Sequence, residues 1–574
     1  MGAFPMGFEV IETDILILGG GGAGLLAALH AHDAGGKLGI IIAVKGLLGK
    51  SGCTRMVQGG YNAVLKPPDS LEAHFLDTIK GGCFLNDQEL AWSLVTLAPQ
   101  RIRELEAWYG CFFDRNPDGT IHQKPFAGQS FDRTIHKGDL TGIEIMNRLA
   151  EQVYRREIRI LEEHRALELL TVEEGGPVMG ALLLDIRNGS FLVINSRATL
   201  LATGGGPTMY RIAAPSAEKS TDGIAMAYRA GAELCDMEMV QFHPTGLLAG
   251  PSLMTGSVLE EGLRGVGGRL YNGLGERFME RYDPERMERS TRDIVARACY
   301  LEIMEGRGTE KGGVLLDMSH LGADFVEKAF PGMVERCRDF GFDLARRPVD
   351  VSPTAHFMMG GIKIDLTCKS SLERLFVAGE DSGGVHGANR LGGNGVADSI
   401  VFGGLAGEAM ADYVLGRGLL PINPSQVERV VGSALRYLQG NGENIYEIRD
   451  EMRQLMWEKV GVIRHRRELK EAISELEKLK GRAEGISVVG GKEYNMEWNH
   501  ALDLENQLMV SEMISRSALE REESRGSHFR RDYPETDDTR YLVNIFIQKD
   551  GEEMRLWKRP VQLTIMKPEG EKVH

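Results

Sequence analysis

Asp14-Ile15-Leu16-Ile17-Leu18-Gly19-Gly20-Gly21-Gly22-Ala23-Gly24-Leu25 decides the fold. The apolar run Ile15 to Leu18 suits a strand buried on both faces. Gly19-x-Gly21-x-x-Gly24 follows at once, and Leu25 to Ala31 then reads as a helix. Gly19 allows a tight turn, Gly21 lets the backbone approach a pyrophosphate, and Gly24 permits close packing of helix on strand. The helix N-terminus would offer free N–H groups and a partial positive charge to phosphates. A second strand over Leu38 to Val44 completes a βαβ unit of about 30 residues. The glycine pattern alone is weak, but between a strand and a helix it points to a dinucleotide.

Two further strands run into glycine: Ala198 to Ala202 into Thr203-Gly204-Gly205-Gly206, and Leu375 to Ala378 into Gly379-Glu380. Far apart in sequence yet chemically alike, the three junctions are expected in one α/β nucleotide-binding domain interrupted by an insertion. The second strand ends Ala43-Val44-Lys45, with no carboxylate to hold a ribose. That weakens an NAD reading and leaves an FAD one intact. The insertion is placed at 238–352, between domain parts at 1–237 and 353–423. Residues 424–530 read as helices, with Leu469, Ile473, Leu476 and Leu479 at amphipathic spacing. In the tail, 531–574, Tyr541 to Gln548 and Met554 to Trp557 flank Lys549-Asp550-Gly551 as a hairpin.

Composition narrows the function. The 574 residues require several domains, and a net charge of −15 argues against a nucleic-acid partner. No run approaches the roughly 20 apolar residues that span a bilayer, and Met1 to Thr13 does not read as an export signal. Seven dispersed cysteines without C-x-x-C exclude the usual iron–sulfur or zinc ligand sets and suggest a reducing compartment. A cytoplasmic chain without a metal is expected, held at a membrane only through partners.

The chain resembles the flavoprotein subunits of succinate dehydrogenase and fumarate reductase, with L-aspartate oxidase as their nearest relative. Asp14 to Gly24, Gln58-Gly59-Gly60, Thr221-Asp222-Gly223 and Gln241-Phe242-His243-Pro244-Thr245-Gly246 begin the match. Gly275-Glu276-Arg277-Phe278-Met279, Thr291-Arg292-Asp293, Pro353 to Gly361, His386 to Asn394 and Glu523 to His528 continue it in family order. The resemblance implies a Rossmann-like FAD-binding domain, an α+β capping domain, a C-terminal helical domain and a small β-containing tail. It assigns FAD to Gly19, Gly21, Gly22, Ala23, Gly24, Lys45, Ser51, Cys53, Thr54, Gly59 and Gly60. Ala202, Thr203, Gly204, Asp222, Glu380 and Arg390 join them, with Asn394, Gly395 and Val396 beside the isoalloxazine. It also implies an iron–sulfur protein as partner, with or without a membrane anchor on the inner face of the membrane, although a donor such as a thiol stays open.

A four-carbon dicarboxylate needs cations or donors at both ends, and hydride transfer at one carbon needs proton transfer at its neighbour. The resemblance gives the carboxylates to His243, His356 and Arg390, whose planar fork matches a carboxylate. It makes Arg292 the acid or base, fed by Glu261 and Arg264. Alone, any of these is more often structural than catalytic; together and in order they point to function.

Two positions depart from the family. Cys53 stands where respiratory members attach FAD through histidine. Non-covalent FAD and a bias towards fumarate reduction are expected, with a thioether through Cys53 left open. Glu260 replaces a threonine, so it should point away, be protonated, or meet a cationic substrate group, with Thr255 supplying the lost hydroxyl. L-aspartate oxidase therefore remains an alternative, as does a flavin-binding assembly component with a dead site.

Overall fold

The computed structural model describes residues 8–439 and 442–568. The export-signal reading lies, for residues 1–7, outside the described residues, as do the last residues of the tail. The opening motif folds as β1 (Glu9–Leu18), α1 (Gly22–Gly35) and β2 (Ile40–Ala43). β1 pairs in parallel with β2 and, on its other side, with β3 (Phe191–Leu201), which starts seven residues before the expected Ala198. Leu375–Val377 pairs in parallel with the second half of β3. Leu18, Leu201 and Val377 are register partners across three neighbouring strands, so all three strand-to-glycine junctions open at one sheet edge. Two antiparallel strands, Val178–Asp185 and His164–Thr171, and the parallel Arg159–Leu161 complete the sheet. Ile15, Leu16 and Ile17 are wholly buried, as a strand covered on both faces requires.

β4 (Val240–Leu247) begins a four-stranded antiparallel sheet and pairs with β5 (Val349–Met358). Val314–Asp317 and Arg269–Tyr271 extend it, over an apolar core of its own between Leu247 and Val351. α2 (Arg292–Met304) packs on β4, and α3 (Asn394–Val414) packs on α1 beneath the glycine turn. A smaller sheet joins Tyr61–Asn62, Thr134–Ile135 and Gln123–Lys124, so residues 123–135 form a tongue whose first arm, through Lys124 and Ala127, reaches Glu260 and Glu261.

The region after Pro424 is helical, with long helices at Ile445–Lys459, Arg466–Ala483 and Met496–Glu520. Leu469, Ala472, Leu476 and Leu479 are buried, whereas Ile473 is only half-buried at the edge of the stripe. The hairpin is present as Val543–Asp550 and Glu553–Pro560. Asp550 pairs with Glu553, so the turn is Gly551-Glu552, two residues rather than the expected Lys549-Asp550-Gly551. Gly551 supplies the positive φ of +60° that such a turn needs. Unforeseen from sequence, the hairpin adds to Leu234–Cys235 and completes a five-stranded sheet. Arg521 fastens that junction, wholly buried and bonded to Glu238 at 2.7 Å and Glu523 at 2.9 Å.

Candidate active site

The cofactor cradle is built from backbone. Gly19 has φ +118°, and a Cβ there would lie 2.1 Å from the carbonyl oxygen of Ala202. A Cβ on Gly24 would meet the Gly19 carbonyl oxygen at the same distance, so helix and strand close only on glycine. No side chain caps α1 at Gly21. Thr54 Oγ1 accepts one hydrogen bond, from the Gly22 amide at 3.1 Å. These uncapped amides over an open glycine face fit a pyrophosphate. Thr203 and Gly204 are held by Asp381, whose carboxylate accepts both amides. Glu380 accepts the Gly206 and Met358 amides and pairs with Lys219.

Several expected cofactor residues meet one another. Lys45 donates to Asp222 at 3.0 Å and to Asp503 at 2.6 Å. Arg165 adds a second cation, and the two hold Asp222 below the usual carboxylate range despite its burial. Ser51 donates to the Leu47 carbonyl. Cys53 Sγ accepts the Ser216 amide at 3.3 Å, and burial pushes its thiol up although Lys219 opposes the shift. Gly60, at φ +140°, backs onto the carbonyl of Ile135, and Gly59 onto the ring of Phe126. The Asn394 side chain gives one Nδ2 hydrogen bond to Thr78, and its Oδ1 is held by His74 and Asn62. A Cβ on Gly395 would stand 2.7 Å from Arg390 Nη1. Glycine there gives that guanidinium its room, and Val396 is buried in the first turn of α3.

Opposite this cradle lies a charged chamber. β4 carries Gln241 and His243, β5 carries His356, and Arg292 is the first residue of α2. Arg292 donates from Nε and Nη2 to Glu261 Oε2 at 2.7 and 2.6 Å, and from Nη1 to Gln241 Oε1 at 3.1 Å. Glu261 also accepts the Ala127 amide. Burial would raise its pKa, but Arg292 and Arg264 together hold it below the ordinary value. Arg264 gives Nη1 to the Glu288 carbonyl, while its Nε and Nη2 have no hydrogen-bond partner. The rings of His243 and His356 stand 5.4 Å apart, and His243 Nε2 is buried without a partner. Burial first, then the neighbouring guanidiniums, keeps both imidazoles neutral, well below their usual pKa. Arg390 stacks 4.2 Å over Phe357 with Nε unpartnered, and burial lowers its pKa too.

Glu260 has found a solution that sequence did not offer. It is buried, and Lys124 of the tongue donates to its Oε1 at 2.6 Å. The counter-ion comes from within the chain rather than from a substrate. Thr255 spends its hydroxyl in its own loop, donating to the Gly250 carbonyl at 2.6 Å and accepting the Ala249 amide. Gln241, Lys124 and Ala127 join the chamber unannounced. Only Gln241, two residues before His243, carried a signal, since alternate residues of a strand share a face. Outside the tongue a cavity of about 550 Å³ is lined by Lys80, Gln129, Arg286 and Arg289.

A family model described as FAD binding domain matches residues 14–396, and one described as Fumarate reductase flavoprotein C-term matches 449–573. This chain belongs to the fumarate reductase and succinate dehydrogenase flavoprotein family. It is therefore an FAD-dependent oxidoreductase. An uncharacterised FAD-dependent oxidoreductase of Methanocaldococcus jannaschii is 46% identical, covering 92% of this chain and 94% of that one. A fumarate reductase (CoM/CoB) of Methanothermobacter marburgensis contributes a chain that is 45% identical, over 92% and 96%. Among solved structures, the Escherichia coli quinol fumarate reductase flavoprotein superposes with a TM-score of 0.93 at 33% identity, over 98% of each chain. Among the described residues, no helix of this flavoprotein is long and apolar enough to cross a membrane.

Proposed function

We propose that this flavoprotein interconverts fumarate and succinate, with reduction of fumarate favoured. The supporting observation is the chamber itself. Three buried guanidiniums and two neutral imidazoles share it with Glu261, and His243 Nε2, Arg390 Nε and Arg264 Nε lack partners. Buried donors without partners are rare in folded proteins unless a ligand completes them. Bound FAD supplies hydride chemistry at its N5. His243, His356 and Arg390 hold the dicarboxylate, and the neutral imidazoles donate without adding charge. Arg292 delivers a proton to the carbon neighbouring the hydride site, and Glu261, in contact with its Nε and Nη2, replaces that proton in concert. Arg264, whose charge acts on Glu261, resupplies it. The segment 238–352 acts as a cap over the cradle.

Electrons pass to or from an iron–sulfur partner subunit, consistent with dispersed cysteines and with five of the seven buried. Membrane attachment, where it occurs, runs through such partners. Cys53 in place of a linking histidine favours non-covalent FAD and the reductive direction. The Lys124 counter-ion removes the reason for expecting an ammonium on the substrate, which disfavours L-aspartate oxidation. An intact donor set disfavours a dead site. Reduced viologen dye and fumarate, assayed on FAD-loaded protein, test the reading; turnover of aspartate with oxygen but not of fumarate would replace it.

A further inference from the structure

Two consecutive buried residues of the chamber, Glu260 and Glu261, are both carboxylates, and the tongue touches each. Lys124 Nζ lies 2.6 Å from Glu260 Oε1, and the Ala127 amide 3.1 Å from Glu261 Oε1. Glu260 Oε2 is buried with no partner, so among the described residues Lys124 is its neutralising contact. Lys124 reaches inwards past Phe126, whose ring packs on Gly59 and Gly392. A Cβ on Gly392 would stand 2.9 Å from both Arg292 Nη2 and Glu261 Oε2, so the tongue lies against the relay. Arg264, Arg292, Arg390 and Lys124 stand against Glu260 and Glu261. Within this set the balance is two positive charges, which matches a dianion, and without Lys124 it is one; nearby Asp139 and Glu380 are offset by Arg336 and Lys219.

We infer that Lys124 is a positioning residue which, by neutralising Glu260, sets the charge of the chamber and so its affinity for a dicarboxylate. The inference rests on the activity proposed above. The groups facing Glu260 are Lys124 from the tongue, Asp139 from the loop before helix Thr141–Arg155, and Glu261 from its own segment. Burial above all, with Asp139 and Glu261, favours its neutral form and keeps its pKa raised even beside Lys124, the group that opposes them among the described residues. With Lys124 removed, Glu260 is protonated at low pH and harmless. As pH rises it ionises with no counter-ion, repels the substrate, and favours the protonated form of Glu261 as well. A like charge several ångströms away at an effective dielectric of 20 weakens binding about tenfold or more.

The experiment measures KM and kcat for fumarate with reduced dye from pH 6 to 9, alongside flavin content and thermal midpoint. Wild type, Lys124→Met, Glu260→Gln and the double variant are compared. Succinate binding, read from the perturbed flavin spectrum, is measured in parallel. Lys124→Met should match wild-type KM at the acid end and exceed it about tenfold at the alkaline end. The double variant should lose that pH dependence. Glu260→Gln alone, which leaves an uncompensated ammonium, should bind at least as tightly as wild type. A KM for Lys124→Met that tracks wild type at every pH overturns the inference, and so does a double variant no better than Lys124→Met. If Lys124→Met fails to fold, Glu260→Gln decides, because weaker binding in that variant contradicts the charge balance. A wild type inactive on fumarate defeats the proposed activity, and the succinate series then decides this inference in the same way.

Discussion

Arg292→Gln separates the two duties of one guanidinium. In the native chain Arg292 gives Nε and Nη2 to Glu261 at 2.7 and 2.6 Å, and both side chains are buried. Glutamine removes the charge and, on the mechanism proposed above, the acid. General acid–base catalysis contributes about 10² to 10⁴, so fumarate reduction should fall by at least that factor. A loss of 10³ corresponds to about 4 kcal/mol of barrier. Breaking a buried pair from one side also costs about 3–5 kcal/mol of stability, because Glu261 is left with Arg264 and one amide. Pairing lowers the Glu261 pKa in the native state, so its contribution is present above the unfolded value and is lost as pH falls through the folded one. In the variant, burial dominates and raises that pKa, so the deficit against wild type should shrink as pH falls. Adding Glu261→Gln removes the stranded carboxylate and should recover much of the stability with none of the turnover. Denaturant unfolding of FAD-loaded protein and a dye-coupled assay read the two effects separately. Unchanged turnover in Arg292→Gln, or a double variant no more stable than the single, would refute the reasoning.

Gly19→Ala should abolish flavin retention, since its Cβ would stand 2.1 Å from a carbonyl oxygen at φ +118°; the ratio of flavin to protein absorbance checks it. Acid precipitation of the holoprotein should leave the flavin in the supernatant, because Cys53 is a protonated, raised-pKa thiol; flavin pelleting with the protein would establish a link. Asp236 is pushed up to about 7 by burial and by Glu238, with Arg521 opposing. Its native state therefore gains stability by holding a proton, and that gain is lost as pH rises from the usual carboxylate range through about 7. Asp236→Asn, tolerated at the left-handed φ of +53°, should flatten this slope in thermal melts across pH 5 to 8.

What could be read from sequence was local. Ile15 to Gly24 fixed strand, turn and helix because burial on both faces and glycine geometry are written in consecutive residues. The likeness of three strand-to-glycine junctions pointed to one nucleotide-binding domain, and Leu18, Leu201 and Val377 lie side by side in its sheet. Contacts between distant segments had no such signature. Lys124 sits 136 residues from Glu260, and nothing in its neighbours marks it as a counter-ion. Lys45 finds Asp503 across 458 residues, joining the helical region to the cradle. Thr255 shows the converse hazard, since matched spacing located a hydroxyl that its own loop had already claimed. The hairpin turn slipped because Asp550 keeps its ladder partner, a choice made by register and not by turn composition.

The pairing of Val543–Asp550 with Leu234–Cys235 bears on biosynthesis. Asp236, anchored to Asn544 and Ile545, lies five residues before Gln241, so the strand that presents Gln241 and His243 is braced by residues translated about three hundred codons later. Since domains fold largely in order of emergence from the ribosome, flavin loading should trail completion of the polypeptide. A nascent chain stalled before Val543 would keep an apolar sheet edge uncovered, a natural target for chaperones.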